Sequence, residues 1–178
     1  MAWTAPMTAT ASSAFTAAQF NTYVRDNLNE TAPAKATAAS QIFVATGVNA
    51  IAARTITGAT VDTSETTASA SFTDLATGGP AVTVTTGPSA MVFLTAKVLN
   101  SAGVSSFMGH AVSGATTIAA ADSNSLIVDP GASNQVRTTV LAFRDGDLTP
   151  GSNTFTAKYR VDSGTGTYVN RRIVVIPL

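Results

Sequence analysis

Apolar and polar residues alternate along much of the chain beyond residue 60. The alternation is clearest at residues 154–161, where every second residue from Phe155 to Val161 is apolar. A period of two is that of a strand with one buried face and one solvated face. Residues 162–166 then carry two glycines before a second candidate strand at 167–176, which ends in an apolar run. This region therefore predicts a hairpin with a glycine-rich loop.

The same pattern predicts a β head of eight short strands. Turn residues separate the strands, including Pro-Gly pairs at 130–131 and 150–151. Continuous apolar runs at 91–94 and 173–176 favour strands covered on both faces, either by the core and a subunit contact or by a central position in the fold. We expect a jelly-roll-like β-sandwich, with a closed single barrel as the alternative. The predicted strands are residues 69–75, 81–86, 90–99, 104–112, 125–128, 136–144, 154–161 and 167–176.

A short amphipathic helix is predicted near the N-terminus, at about residues 16–30. Thr16 followed three residues later by Gln19 is the pattern of a capping box. A helix of this length is marginal in water unless it packs on something: the head, a neighbouring protein or the same helix of sister chains. We interpret it as an anchor. Its expected anchor or oligomer contacts, together with the aromatic residue near the chain start, are Trp3, Phe20, Tyr23, Val24 and Leu28.

The chain divides by pattern into three parts. Residues 1–32 form the anchor, residues 33–59 a linker and short β connector, and residues 60–178 the head. Pro33 is expected to stop the helix, and Gly47 and Gly58 punctuate short apolar runs in the connector. The connector is too short for a core of its own, so we expect it to bury its apolar face against other chains or the head.

Composition narrows the classes of partner. The charges of ten basic and ten acidic residues cancel, so the chain has no excess positive charge that would favour binding to nucleic acid or to an anionic membrane surface. Charged residues make up only 11% of the chain against roughly 25% in ordinary domains, and such a surface favours association with copies of itself. Cysteine is absent, which excludes disulfides and thiolate sites. No apolar stretch approaches the ~20 residues of a membrane span.

Several stretches resemble the minor tail and fibre proteins of actinobacteriophages. Residues 3–6, Trp-Thr-Ala-Pro, and residues 20–30, which contain an Arg-Asp-Asn helix, resemble the N-terminal signature of that family. Residues 42–54 look like its short β connectors. Residues 148–160 and 170–177 are similar to the closing strands of its β head.

This resemblance implies a structural virion appendage: a homotrimeric fibre, spike or minor tail protein. Its N-terminus would dock on other capsid or tail proteins, and its head would face outward, towards a cell-surface glycan of the host. The expected location is therefore the virion. A head fibre or capsid decoration protein with no receptor role is an alternative reading, as is a carbohydrate-binding module with recognition loops around Gly103, Ser133 and Gly164.

His110 is the only histidine, and we interpret it as a structural or interface residue rather than a catalytic one. No phosphate-binding loop, Gly-x-Ser-x-Gly elbow or His-Glu pair occurs, so we predict no enzymatic activity. Pairs of side chains with carboxylate or amide oxygens could bind calcium, but polar turns are favoured because further ligands are lacking, and neither metal nor cofactor is predicted. The pairs considered are Asp145 with Asp147, Asp122 with Asn124, and Asp62 with Glu65.

Arg171 and Arg172 are adjacent in a predicted strand and should point to opposite faces. The inward arginine would need a carboxylate, with Asp162 or Asp74 as candidates. Among the aromatic residues with a polar atom, Tyr159 alternates with core positions and is expected to be buried. Tyr168 lies beside the glycine-rich loop and is the predicted ligand-binding residue.

Overall fold

The computed structural model describes residues 3–129 and 136–178. It contains two compact units, residues 1–55 and residues 56–178. Strands account for 49% of the structure and helices for 11%, with a short helix near the N-terminus. The predicted fold class, mainly β with a β-sandwich head, is confirmed.

The N-terminal unit consists of a short helical segment and a two-stranded hairpin. The Thr16 side chain accepts a hydrogen bond from the Gln19 amide at 3.2 Å, and the Gln19 side chain accepts one from the Thr16 amide at 2.9 Å, so the predicted capping box forms. Pro33 lies in the first turn of a second helix, where its missing N–H costs nothing, and does not end the first one. The elements are α1 (Ala17–Phe20, a π turn Asn21–Arg25, and Asp26–Leu28), α2 (Ala32–Lys35), β1 (Gln41–Gly47) and β2 (Ala50–Thr55).

The head contains two antiparallel sheets. One has the strand order β5-β10-β7-β8, and the other has the order β3-β11-β6-β9, with β4 also pairing with β11. A 3₁₀ turn, Asp122–Asn124, precedes β8. The strands are β3 (Thr57–Val61), β4 (Glu65–Thr67), β5 (Ala81–Thr86), β6 (Ala90–Asn100), β7 (Ser106–Gly114), β8 (Leu126–Val128), β9 (Val136–Arg144), β10 (Gly151–Val161) and β11 (Gly166–Pro177).

The connectivity of the two sheets is that of a jelly roll. Apart from β4, the first head strand pairs with the last, β3 with β11, and the next pairs are nested inside it: β5 with β10, β6 with β9, and β7 with β8. This nesting is what results when one long antiparallel ribbon is rolled into two facing sheets. Two open sheets with separate strand orders exclude the single closed barrel for the described residues.

The first strands of the head differ from the prediction. Residues 69–75 do not form a strand, although Thr73 makes one antiparallel bridge with Tyr159. The first head strand is β3, which lies mostly within the predicted connector. Gly58 suggested a turn, but its missing Cβ lets β3 pack closely on β11: an added Cβ would lie 3.1 Å from Cγ2 of Val174.

The core lies between the two sheets and follows the predicted alternation. Along β6, every second residue from Ala90 to Val98 is fully buried, and along β10 the same holds from Phe155 to Val161. Burial of the Tyr159 ring, predicted from this alternation, is confirmed. The residues between them point outward and form the outer surfaces of the two sheets.

Candidate functional site

The outer face of the sheet β3-β11-β6-β9 carries two rows of apolar side chains. In the first row, Ile176, Met91 and Phe143 lie side by side across β11, β6 and β9. In the second row, Val174, Phe93 and Leu141 do the same. Leu141 is 49% exposed and Phe143 is 51% exposed. We call these six residues the apolar face: Met91, Phe93, Leu141, Phe143, Val174 and Ile176.

Charged residues of opposite sign border the apolar face at its two ends. Beyond the second row, the hydroxyls of Thr95 and Thr139 hydrogen-bond at 2.9 Å, and the exposed Arg172 lies opposite Thr95. Lys97 follows on the same side of β6. Beyond the first row, the loop after β9 exposes Asp145. The face therefore runs from a basic end to an acidic end.

A groove of about 780 Å³ crosses the outer surface of the opposite sheet. Residues 70–74 form one wall and residues 119–122 the other. Ala111 of β7 and the side chains of Lys158 and Arg160 of β10 form the floor between them. The groove thus has a strand-built floor and two walls supplied by connecting segments.

Every charged side chain in the groove is held by an opposite charge. The Nε and Nη2 atoms of Arg160 donate to the carboxylate of Asp122 at 2.8 and 2.6 Å, and Nη1 donates to Asp162 at 2.7 Å. Lys158 donates to Asp74 at 2.7 Å. The hydrogen bonds from Arg160 hold the pKa of Asp122 below its usual value. The guanidinium carbon of Arg160 also lies 3.6 Å from the centroid of the Phe107 ring.

A glycine on β7 lets one wall of the groove lie close to the sheet. Gly109 is paired with Lys158 across the two strands. An added Cβ at Gly109 would lie 2.5 Å from Oγ of Ser125 and 3.1 Å from the ring of Phe72. Only a residue without a side chain allows Phe72 to rest on the strand at this point.

His110 is fully buried between the sheets. Its Nε2 accepts a hydrogen bond from Nε of Arg144 at 3.0 Å. Burial, together with the positive charge of Arg144, lowers the pKa of His110 to about 3, so the imidazole is neutral at ordinary pH. Nη1 of Arg144 binds Asp147 at 3.1 Å, which gives this carboxylate a structural partner. Among the described residues, no three His, Cys, Asp or Glu side chains cluster as a metal site would require.

The predicted ligand role of Tyr168 is wrong. Its side chain is fully buried, its hydroxyl donates to the carbonyl of Arg160 at 2.7 Å, and its ring packs 4.9 Å from that of Tyr159. Tyr159 in turn donates its hydroxyl to the carbonyl of Gly79. Burial raises the pKa of both tyrosines well above the usual value. Neither ring can stack on a ligand at the surface.

Arg171 and Arg172 do point to opposite faces, as predicted: Arg171 is fully buried and Arg172 is exposed. The partner of Arg171 is neither of the two aspartates considered but Glu65, at 3.3 Å, with Thr63 at 3.0 Å. The two aspartates instead bind Lys158 and Arg160 in the groove. Of the three recognition loops considered, the one around Ser133 lies outside the described residues.

The N-terminal unit leaves most of its apolar side chains exposed. Among residues 3–55, all of which the structure describes, Asn27 is the one buried residue. It joins the extended N-terminus to the helix through two hydrogen bonds with the backbone of Thr4, at 2.8 and 2.9 Å. Of the predicted contacts, Trp3, Phe20 and Leu28 are 40%, 48% and 60% exposed, and Tyr23 and Val24 are half-buried.

Comparisons with known proteins add no relative: no family model and no curated protein matches this chain. In the described part of the chain, none of the helices has the length and apolar character that a bilayer crossing demands.

Proposed function

We propose that this protein is a structural appendage of a virion, such as a fibre, spike or minor tail protein. Its N-terminal unit docks on other capsid or tail proteins, and its jelly-roll head is displayed as a homotrimer for attachment to the host surface. The virion setting rests on the resemblance of residues 3–6 and 20–30 to actinobacteriophage tail and fibre proteins.

The observation that carries this proposal is the contrast between the two units. The head buries a full set of apolar side chains, whereas the N-terminal unit buries only Asn27 among its described residues. Burying one large apolar side chain contributes about 1.5–3 kcal/mol, so the exposed Phe15, Phe20 and Leu28 leave several such contributions unused. A short helical segment of this kind gains stability by packing on a partner, which is the behaviour of an anchor.

The apolar face supports the homotrimer. Soluble monomers rarely expose contiguous apolar patches of this kind without an interaction that uses them. We assign the contact to a second copy because the face ends in Lys97 and Arg172 on one side and Asp145 on the other, so that a neighbouring copy supplies the complementary charge. A net charge of zero removes the long-range repulsion that would oppose such assembly.

The surroundings of His110 support a non-enzymatic role. A general base must reach a substrate proton at hydrogen-bond distance, and this imidazole is enclosed by the core and bonded to Arg144. The buried charges of Arg171 and Arg144 likewise have structural partners in Glu65 and Asp147. The hydrogen bond between His110 and Arg144 joins β7 of one sheet to β9 of the other.

The proposal is tested on the particle that carries the protein. Replacing Phe20 and Leu28 by serine should reduce incorporation of the chain into particles by about tenfold or more, because the anchor loses its exposed apolar contacts. The control replaces Thr22 and Asn29, exposed polar residues of the same segment, by alanine and should assemble normally. Unchanged incorporation of the double serine variant would contradict docking through this segment.

Adsorption to host cells distinguishes an appendage that binds a receptor from one that has no receptor role. If the head has a receptor role, particles with altered head surfaces assemble normally but adsorb poorly. If they adsorb like the wild type, the protein is a capsid decoration or head fibre without that role.

A further inference from the structure

We propose that the groove between residues 70–74 and residues 119–122 is a binding site for a neutral saccharide. The groove would be the place where the displayed head binds its ligand. The biological setting of this inference therefore rests on the proposed function. It is carried by the chemistry of the groove itself, which lies on the sheet opposite the apolar face and remains open when that face is covered.

The polar groups of the groove have hydrogen-bonding capacity to spare. Lys158 carries three N–H donors, of which one binds Asp74, and Arg160 carries five, of which three bind Asp122 and Asp162. Each carboxylate oxygen can accept a further hydrogen bond. Sugar hydroxyls both donate and accept, so neighbouring hydroxyls of a ring can bridge a carboxylate and its cation.

These groups are also fixed before any ligand arrives. Arg160 is held by two carboxylates and by the ring of Phe107, and the two-point contact with Asp122 fixes the plane of its guanidinium group. Side chains that are already ordered lose little conformational entropy on binding. This small entropy loss favours the binding of neutral ligands, whose individual contacts are weak.

The charge balance favours a neutral ligand over an anion. Lys158 and Arg160 supply two positive charges, and three carboxylates balance them: Asp74 contacts Lys158, and Asp122 and Asp162 contact Arg160. A phosphate, sulfate or carboxylate would bring its own negative charge beside these carboxylates, and like charges placed next to each other are unfavourable. A hydroxyl can add to the ion pairs without breaking them.

The groove also offers apolar surface suited to the C–H face of a sugar ring. Phe72 is partly exposed in one wall, Ala111 lies in the floor, and residues 119–121 of the other wall are all alanine. Aromatic and small apolar groups beside fixed polar ones allow a pyranose ring to lie flat while its hydroxyls reach the ion pairs.

The experiment applies the full chain to an array of neutral and acidic glycans, with affinities then measured by calorimetry using the neutral glycan that binds best. The blocking variant is Ala111→Phe, which fills the floor of the groove. Its matched control is Ser113→Phe, two residues further along the same face of β7 and exposed outside the groove. Thermal unfolding and light scattering on both variants verify folding and oligomeric state.

We expect the wild type and Ser113→Phe to bind neutral glycans and Ala111→Phe to bind about tenfold or more weakly. No binding by the wild type, binding of acidic glycans alone, or full binding by a folded Ala111→Phe variant would each overturn the groove as a saccharide site. A wild-type trimer that binds no glycan overturns this inference but not the proposed assembly, whereas a monomer that binds through the groove contradicts the assembly alone.

Discussion

Phe93 of β6 lies directly opposite Leu141 of β9, and both side chains stand on the outer face of the sheet. Their neighbours Leu94 and Ala142 are buried in the core. Adjacent residues of the same two strands therefore have two different roles: one set packs in the core between the sheets, and the other forms an apolar outer surface. This division underlies our proposal that the head assembles with copies of itself.

The buried His110 predicts a dependence of stability on pH. Its folded pKa of about 3 lies below the ordinary value of 6.5, so the unfolded chain binds more protons between these values. The free energy of unfolding should fall by up to about 1.4 kcal/mol per pH unit as the pH drops from 6.5 towards 3. Urea unfolding at a series of pH values measures this slope.

His110→Gln is the matched variant for that slope, because the glutamine amide keeps an acceptor for Arg144 but does not titrate. It should flatten the dependence of stability on pH between 6.5 and about 4.5. The same slope in wild type and variant would mean that another group causes it.

Asn153 predicts a large loss of stability on truncation. This fully buried side chain accepts from the amide of Thr116 at 2.8 Å and donates to Thr86 and to the carbonyl of Thr149. Asn153→Ala leaves these groups without partners and should cost about 2–4 kcal/mol in chemical unfolding. The exposed neighbour Ser152, replaced by alanine, should change stability by less than about 0.5 kcal/mol. Equal effects at both positions would contradict the buried network.

Two glycines should respond differently to alanine. At Gly109 the new Cβ meets Ser125 and Phe72, so Gly109→Ala should destabilise the head by about 2–3 kcal/mol and shift the wall that contains Phe72. At Gly146 the Cβ meets nothing within 4 Å, and only its φ of +75° opposes alanine, at a cost of about 1 kcal/mol. Thermal unfolding of both variants compares the cost of the steric contact at Gly109 with the cost of the backbone conformation at Gly146. A larger loss at Gly146 would be inconsistent with this packing.

Acid should also weaken the contact around Glu65. Hydrogen bonds from Thr77 and Thr63, and the charge of Arg171, lower the pKa of Glu65 from 4.5 to about 2. The stability that this carboxylate contributes is complete above pH 4.5 and is lost as the pH falls towards 2. Glu65→Gln should therefore lower the midpoint temperature of thermal unfolding at pH 7. At pH 2 the midpoint temperatures of the variant and the wild type should lie closer together. A constant difference at both pH values would argue against the ionised contact.

Much of the head could be predicted from the sequence because strands such as β10 alternate between apolar and polar residues and turn residues separate the strands. The exceptions have local causes. In β11 the pairing register shifts between Val169 and Arg172, and Asn170 adopts a φ of +51°, so Tyr168 and Arg171 both point inward although they are three residues apart. Alternation cannot reveal such a bulge. Tyr168 was predicted to bind a ligand because it lies beside the glycine-rich loop, and that position does not indicate which way the side chain points.

The groove could not be predicted in the same way. Its charged residues Asp74, Asp122 and Lys158 lie far apart in the sequence, and only the folding of two connecting segments onto β7 and β10 brings them together. The one local signal was the outward position of Lys158 and Arg160 between the buried residues of β10. The capping box, by contrast, is a local pattern and was predictable residue by residue.

The most direct test of the central claim is the mass of the protein in solution, measured by size-exclusion chromatography with light scattering at micromolar concentration. We predict three times the chain mass of 18.0 kDa for the wild type and for Ile127→Thr, which alters an exposed apolar residue on the other sheet. The double variant Phe93→Thr and Leu141→Thr should dissociate while remaining folded. A wild-type monomer, or a double variant that remains as fully assembled as the wild type, would contradict assembly through the apolar face.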